Sequence, residues 1–218
     1  MRAVIFDYGQ VLCRPAPAAH QALLDIAAID SATFEQHYWH DRHDYDLGRL
    51  DGPTFWRRFG DTVGRAFTTA QIHALVENDV LMWTTRLQKP MLAWAAALQH
   101  AGFATAILSN MPFEIARAMR QEFGWLARFT HLTFSCELGL AKPDPAIYAF
   151  TCEQLHVRRE DALFLDDKQV NVEAALRLGL HALQFHDVVQ LRRDLEARAG
   201  LQQLPPLTEL TAESEVPA

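Results

Sequence analysis

A parallel β-sheet covered by helices on both faces, with an all-helical insertion after its first strand, is the fold class this sequence predicts. Three observations predict it. From residue 90 onward, short apolar runs alternate with helical patterns, the signature of repeated strand–helix units in a doubly wound α/β sheet. Residues 14–89 break that rhythm, with helical spacing and no convincing strand. The first apolar run passes straight into Asp7 in VIFDYGQVL, as a strand does when its end carries chemistry.

The elements follow in order. Ala3–Phe6 is the first strand. Helical patterns in the insertion cover Ala18–Ala28, Thr33–Tyr45, Pro53–Val63 and Gln71–Leu81. Gly48 stops the second of these, and Asp51 caps the third with Pro53 near its start. Met91, Trp94 and Leu98 keep helical spacing until Gly102, and Ala104–Leu108 reads as a buried strand. A helix over Phe113–Glu122 precedes a weaker strand, Leu132–Phe134, and Pro145 opens a helix reaching Gln154. Ala162–Leu165 is a strand, Val170–Leu178 a helix ended by Gly179, and Ala182–Phe185 the last strand. The α/β core is therefore expected to comprise 1–13 and 90–200, with the helical insertion at 14–89. The Pro-rich, acidic stretch 201–218 is expected to be a loose tail.

Composition narrows the function. Half of the 218 residues are hydrophobic and 22% are charged, as in ordinary globular proteins. A net charge of -7 and the lack of a basic run argue against nucleic acid as a partner. No run of about 18 apolar residues offers a membrane span, and the apolar stretch before Asp7 is too short for a signal peptide. Cys13, Cys136 and Cys152 form no CxxC, which suits reduced thiols in a cytoplasmic protein. Cys13 lies near Asp7 but has no activating neighbour in sequence, so it reads as a buried structural residue.

Ligands of doubly wound sheets bind beyond the carboxyl ends of the strands. Four segments deliver polar residues there: Asp7, Ser109-Asn110, Lys142 in GLAKPDP, and Asp166-Asp167. Each alone has a bland reading as a cap, a turn residue or a solvated charge. Together, three acids and a lysine on one rim suit a hard divalent cation and a phosphate. A hydroxyl, backbone N–H groups and an ammonium would hold phosphoryl oxygens, and a carboxylate can act as nucleophile.

The ordered set FDYGQVL, LSN, the lysine of AKPDP and FLDDKQVN resembles the haloacid dehalogenase superfamily of hydrolases, over residues 1–190. That resemblance implies a Rossmann-like core with a helical cap domain between the first two motifs, and Mg²⁺-dependent phosphatase activity on a small-molecule phosphate. It implies Asp7 as nucleophile and metal ligand, Asp167 as the second metal carboxylate, and the Gly9 carbonyl as a third ligand. Ser109 and the Asn110 N–H would bind the phosphoryl group, and Lys142 would neutralise charge between Asp7 and phosphate. Asp166 and Asn171 would orient Lys142 and metal-bound water.

One position departs from the pattern. Phosphatases of this superfamily usually carry an acid two residues after the nucleophile, and here Gly9 stands there, followed by Gln10, which cannot shuttle a proton. General acid–base catalysis contributes roughly 10²–10⁴-fold, so the gap predicts a slower or choosier phosphatase. Leaving groups that need little protonation, such as anomeric sugar oxygens, would suffer least. This form of the first motif resembles that of sugar-1-phosphate phosphatases, which implies a sugar phosphate as one candidate substrate. The rival readings are a metal-independent 2-haloacid dehalogenase, disfavoured by the paired acids Asp166-Asp167, and a non-catalytic binding protein, favoured only by Gly9. A phosphomutase is weaker still, because it also needs the acid at Gly9. In the cap, His37, His40 and His43 recur every three residues, as if on one helix face. A structural role is expected for them, with substrate contact or zinc as lesser readings. Phe55, Trp56 and Phe59 are expected to form cap core.

Overall fold

The computed structural model describes residues 1–208. Five strands form one parallel sheet: β1 (Ala3–Phe6), β2 (Ala104–Ser109), β3 (His131–Phe134), β4 (Ala162–Asp166) and β5 (His181–Gln184), in the order β3-β2-β1-β4-β5. The chain leaves central β1 toward β2 and β3, then crosses back to β4 and β5. The point where the winding reverses lies at the carboxyl end of β1. Phe6 pairs with Ile107 on one side and Leu165 on the other, so the residues that follow these strands emerge at one rim.

Alternation along each strand builds two cores. Ala3, Ile5, Ala106, Leu108 and Phe164 face the helices at Pro145–Gln154 and Gln169–Arg177. Val4, Phe6, Ile107, Leu163 and Leu165 face the opposite way, into a larger cluster that continues through Leu23, Phe34, Phe55 and Trp56 of the insertion. One apolar core thus joins sheet and insertion without a break.

The insertion folds as α1 (Pro17–Ala27), α2 (Ser31–Tyr38), α3 (Arg42–Asp46), α4 (Gly52–Thr62) and α5 (Thr69–Thr84), after which α6 (Lys89–His100) returns to β2. The caps explain the starts. The Asp30 and Asp51 carboxylates accept from the N–H groups of Thr33 and Thr54, and Thr68 with Gln71 forms a reciprocal capping box.

The helix expected over Thr33–Tyr45 is two helices, broken at Trp39–Asp41. Tertiary burial outweighs local propensity there. The break turns Arg42 and Tyr45 inward, to 5% and 0% exposure, while Trp39 stays 42% exposed. It also sends His37, His40 and His43 to different elements, so they share no face. A further helix, Val188–Ala197, follows β5 and has no counterpart in the sequence reading. Its signals were present in the Asp187 cap, which accepts from Gln190 N, and in the Leu191/Leu195 spacing.

The stretch expected to be loose is partly packed. Leu201, Leu204 and Leu207 are buried in the larger core, and the Trp94 indole N–H donates to the Pro205 carbonyl at 2.8 Å. Residues 209–218 of that stretch lie outside the described residues.

Candidate active site

The rim residues converge. Asp7 follows β1, Ser109 ends β2, Asp166 ends β4, and Lys142 reaches in from the loop after β3. All four are buried. The Lys142 ammonium lies 2.7 Å from Asp7 Oδ1 and 2.7 Å from Asp166 Oδ2. Carboxylate oxygens of Asp7, Asp166 and Asp167 lie within 4.8 Å of one another.

The three acids are not equivalent. Asp166 Oδ1 accepts from Lys168 N at 2.8 Å and from Asn171 Nδ2 at 3.0 Å; Oδ2 accepts from Lys142 and again from Asn171 Nδ2. Its acceptor capacity is filled, so it suits orientation of its neighbours. Asp7 Oδ1 takes the Tyr8 N–H and Lys142, both at 2.7 Å, which leaves Oδ2 available, and Asp167 faces the cavity half-buried.

Electrostatics follow from this packing. Burial, opposed by Lys142 and reinforced by the Asp166 and Asp167 charges, pushes the Asp7 carboxyl up to about 7. Asp167 is raised too, by burial and then by Asp166. Burial alone would lower Lys142, but Asp166 and Asp7 outweigh it and hold the ammonium charged. Two buried carboxylates and one half-buried one against one ammonium leave an excess of negative charge. An oxygen-only donor set with uncompensated charge fits Mg²⁺, with Asp7 and Asp167 the open carboxylates.

The loop that follows Gly9 is braced through its backbone. Gln10 takes φ of 61°, and the Gln88 side-chain amide donates to the carbonyls of Gln10 at 2.6 Å and Val11 at 3.0 Å. Gln88 thus braces the loop from the start of α6, a role nothing local in the sequence signals. Asn110 does more than present its N–H. Its side chain clasps the Lys142 backbone, accepting from Lys142 N at 2.8 Å and donating to its carbonyl at 2.9 Å. Ser135 is another residue the motifs did not reveal: its hydroxyl donates to the Asp46 carbonyl and accepts from Met111 N, tying cap to core.

Above the rim lies a cavity of about 520 Å³ whose walls come from both layers. The core side supplies Asp7, Ser109, Asn110, Lys142, Asp167 and Lys168 among others; the helical insertion supplies Trp39, Arg42, His43, Asp46 and Trp83. Of the three cap histidines only His43 reaches it, and none joins a metal-ligand cluster among the described residues. Phe55, Trp56 and Phe59 are fully packed in the cap. Cys13 is buried with its thiol pushed far up by burial, which suits a structural residue and no nucleophile.

A family model described as haloacid dehalogenase-like hydrolase matches residues 1–179. The chain belongs to that family. Bifunctional epoxide hydrolase 2 of Rattus norvegicus is 33% identical over 122 residues, which are 53% of this chain and 22% of that relative. This hydrolase therefore spans well under half of that relative's length. D-ribitol-5-phosphate phosphatase of Bacteroides thetaiotaomicron is 23% identical over 203 residues, 89% of this chain and 97% of the relative. A haloacid-dehalogenase-family enzyme of Bacteroides thetaiotaomicron, solved with magnesium and inorganic phosphate, has the same fold. Its TM-score is 0.65 at 18% identity, over 88% of this chain and 98% of that one. Among the described residues, no helix of this hydrolase is long and apolar enough to cross a membrane.

Proposed function

We propose that the protein hydrolyses a small-molecule phosphate monoester through an aspartyl-phosphate on Asp7, with Mg²⁺ at the acid cluster. The observation that carries the reading is the convergence of the three carboxylates within 4.8 Å, with Lys142 2.7 Å from Asp7, beneath a cavity walled by both layers. Similarity to a ribitol-phosphate phosphatase supports the same class of chemistry.

Roles follow from the donor set. Asp7 Oδ2 attacks phosphorus, while Oδ1 is held by Lys142 and the Tyr8 N–H. Asp7, Asp167 and the Gly9 carbonyl hold the metal, which when bound offsets the phosphate charge. Ser109 and the Asn110 N–H bind the phosphoryl oxygens, and Lys142 neutralises charge between Asp7 and the phosphoryl group. Asp166 and Asn171 keep Lys142 aimed, through the 2.7 Å and 3.0 Å contacts they share. The cap and core walls exclude water from the transfer.

The test is phosphate release from p-nitrophenyl phosphate and a metabolite-phosphate panel, with Mg²⁺ or with EDTA. Asp7→Asn should lower the rate by at least about 10³-fold, as loss of a covalent nucleophile does. Phosphate release that survives EDTA or Asp7→Asn would sink the mechanism.

A further inference from the structure

We propose that this site is built for phosphate esters of flat, acidic alcohols, that is, aryl phosphates in preference to alkyl phosphates and to phosphates of non-anomeric sugar hydroxyls. The inference rests on the phosphatase reading and names its leaving group.

The first observation is what stands where an acid would be. Gly9 has no side chain, and a Cβ built there would lie 3.6 Å from Trp83 Cζ3. The indole edge therefore borders, at ordinary van der Waals distance, the space beside Asp7 into which a side chain at position 9 would grow. That indole is fixed. It is 6% exposed, its N–H donates to the Tyr38 hydroxyl at 3.0 Å, and Tyr38 donates to the buried Asp79 carboxylate at 2.6 Å. An apolar wall flanks the position that carries no proton donor, and a buried hydrogen-bond chain holds the wall in place.

The second observation concerns the rest of the cavity. Trp39 meets Trp83 edge to face, 6.1 Å between ring centroids, and Met111 and Ile115 line the core side. Such walls accept a planar ring by stacking and edge contact. The cap cation facing this space, Arg42, is already engaged, 3.2 Å from both Asp79 oxygens and 2.8 Å from Asp46 Oδ1. Its charge is spent within the helical layer, and Lys168 on the core wall lies over the Trp39 ring at 5.1 Å. Asp46, the one cavity carboxyl outside the acid cluster, has its Oδ1 held by the Arg42 Nε at 2.8 Å.

The chemistry is consistent with both. An Asp7 oxygen bonds to phosphorus, the ester P–O bond breaks, and its electron pair leaves on the aryl oxygen as a phenolate. The phenolate takes its proton from water afterwards. A second water then bonds to phosphorus, the bond to Asp7 breaks, and the carboxylate is regenerated. One proton of that water leaves with inorganic phosphate and the other passes to solvent. A phenolate tolerates departure without protonation; an alkoxide does not, and it forfeits the roughly 10²–10⁴-fold that a general acid contributes.

The experiment compares ring-substituted phenyl phosphates, 2-naphthyl phosphate, butyl phosphate and glucose 6-phosphate at saturating Mg²⁺. The kcat/KM should fall steeply as the leaving alcohol becomes more basic, with aryl esters exceeding butyl and sugar esters by at least about 10²-fold. Trp39→Ala, a change at an exposed ring, should raise KM for 2-naphthyl phosphate about tenfold and leave kcat within twofold, from loss of one stacking wall. Sugar or butyl esters within tenfold of the aryl esters would overturn the proposal, as would a flat dependence on leaving-group basicity, which would mean that a cap residue supplies the proton. So would an unchanged KM in Trp39→Ala. In those cases Asp7- and Mg²⁺-dependent turnover still upholds the phosphatase reading. Turnover of no ester at all removes both.

Discussion

Arg42→Met is the perturbation that best tests how the cap holds its shape. Asp79 is completely buried, and its charge is balanced by the Arg42 guanidinium 3.2 Å from both carboxylate oxygens. The same Arg42 nitrogen also contacts the Tyr38 hydroxyl, and Nε holds Asp46. Its charge sits over the Tyr38 and Tyr45 rings at 4.8 Å and 5.1 Å. Methionine keeps much of the volume and removes the cation, so Asp79 is left buried and uncompensated. Breaking a buried pair from one side costs about 3–5 kcal/mol. For a chain of this size that corresponds to a fall in Tm of roughly 6–20 °C. Urea unfolding and thermal melts of the wild type and Arg42→Met give both numbers. The double variant R42M/D79L removes the orphaned charge as well and should recover at least half the loss, because paired removal avoids the desolvation penalty. A single-variant loss below about 1 kcal/mol, or a double variant no more stable than the single, would refute the reasoning.

Three further outcomes are expected. Asp7 has its carboxyl pushed up to about 7, above its unfolded value. Its protonated form therefore stabilises the apo fold at low pH, and that stabilisation is lost as pH rises from about 4 to about 7. In EDTA, wild type should lose on the order of 2–4 kcal/mol relative to Asp7→Asn across that window, and parallel pH profiles would contradict it. Mg²⁺ should raise the wild-type Tm in a concentration-dependent way, by about 2.7 kcal/mol of stability at a hundredfold excess over Kd, and Asp167→Asn should abolish most of the rise. Gly48→Ala should cost about 2 kcal/mol or more, because Gly48 has φ of +70° and an added Cβ would lie 2.5 Å from Phe113 Cε2 and 2.8 Å from the Cys136 carbonyl. Chemical denaturation of that variant with unchanged stability would show that the cap–core seam yields more easily than its packing implies.

Much of this protein was legible in its sequence. The three inner strands, β1, β2 and β4, were readable because each is a short apolar run buried on both faces, and such runs carry their own signal whatever they pair with. The rim residues were readable because a parallel sheet places every strand's carboxyl end on one side. Asp7, Ser109, Lys142 and Asp166 therefore had to approach one another. The helical character of 14–89 was equally plain from spacing alone.

What lay beyond the sequence depends on partners far along the chain. The division of labour among the acids is one case. Asp166 and Asp167 are adjacent and chemically identical, and only the Lys142, Lys168 and Asn171 donors saturate the first and leave the second open. The break at Trp39–Asp41 is another, since it answers to Asp79, 37 residues beyond Arg42. The packing of Leu201, Leu204 and Leu207 answers to a core whose shape no local pattern in 201–218 encodes. Gly9 is the sharpest example. The sequence by itself determined that no acid stands two residues after Asp7; only the tertiary structure decided that the Trp83 indole, 74 residues away, stands against the gap. Local patterns record which groups a segment can offer, whereas charge compensation and close packing are settled between segments that meet only when the chain is folded.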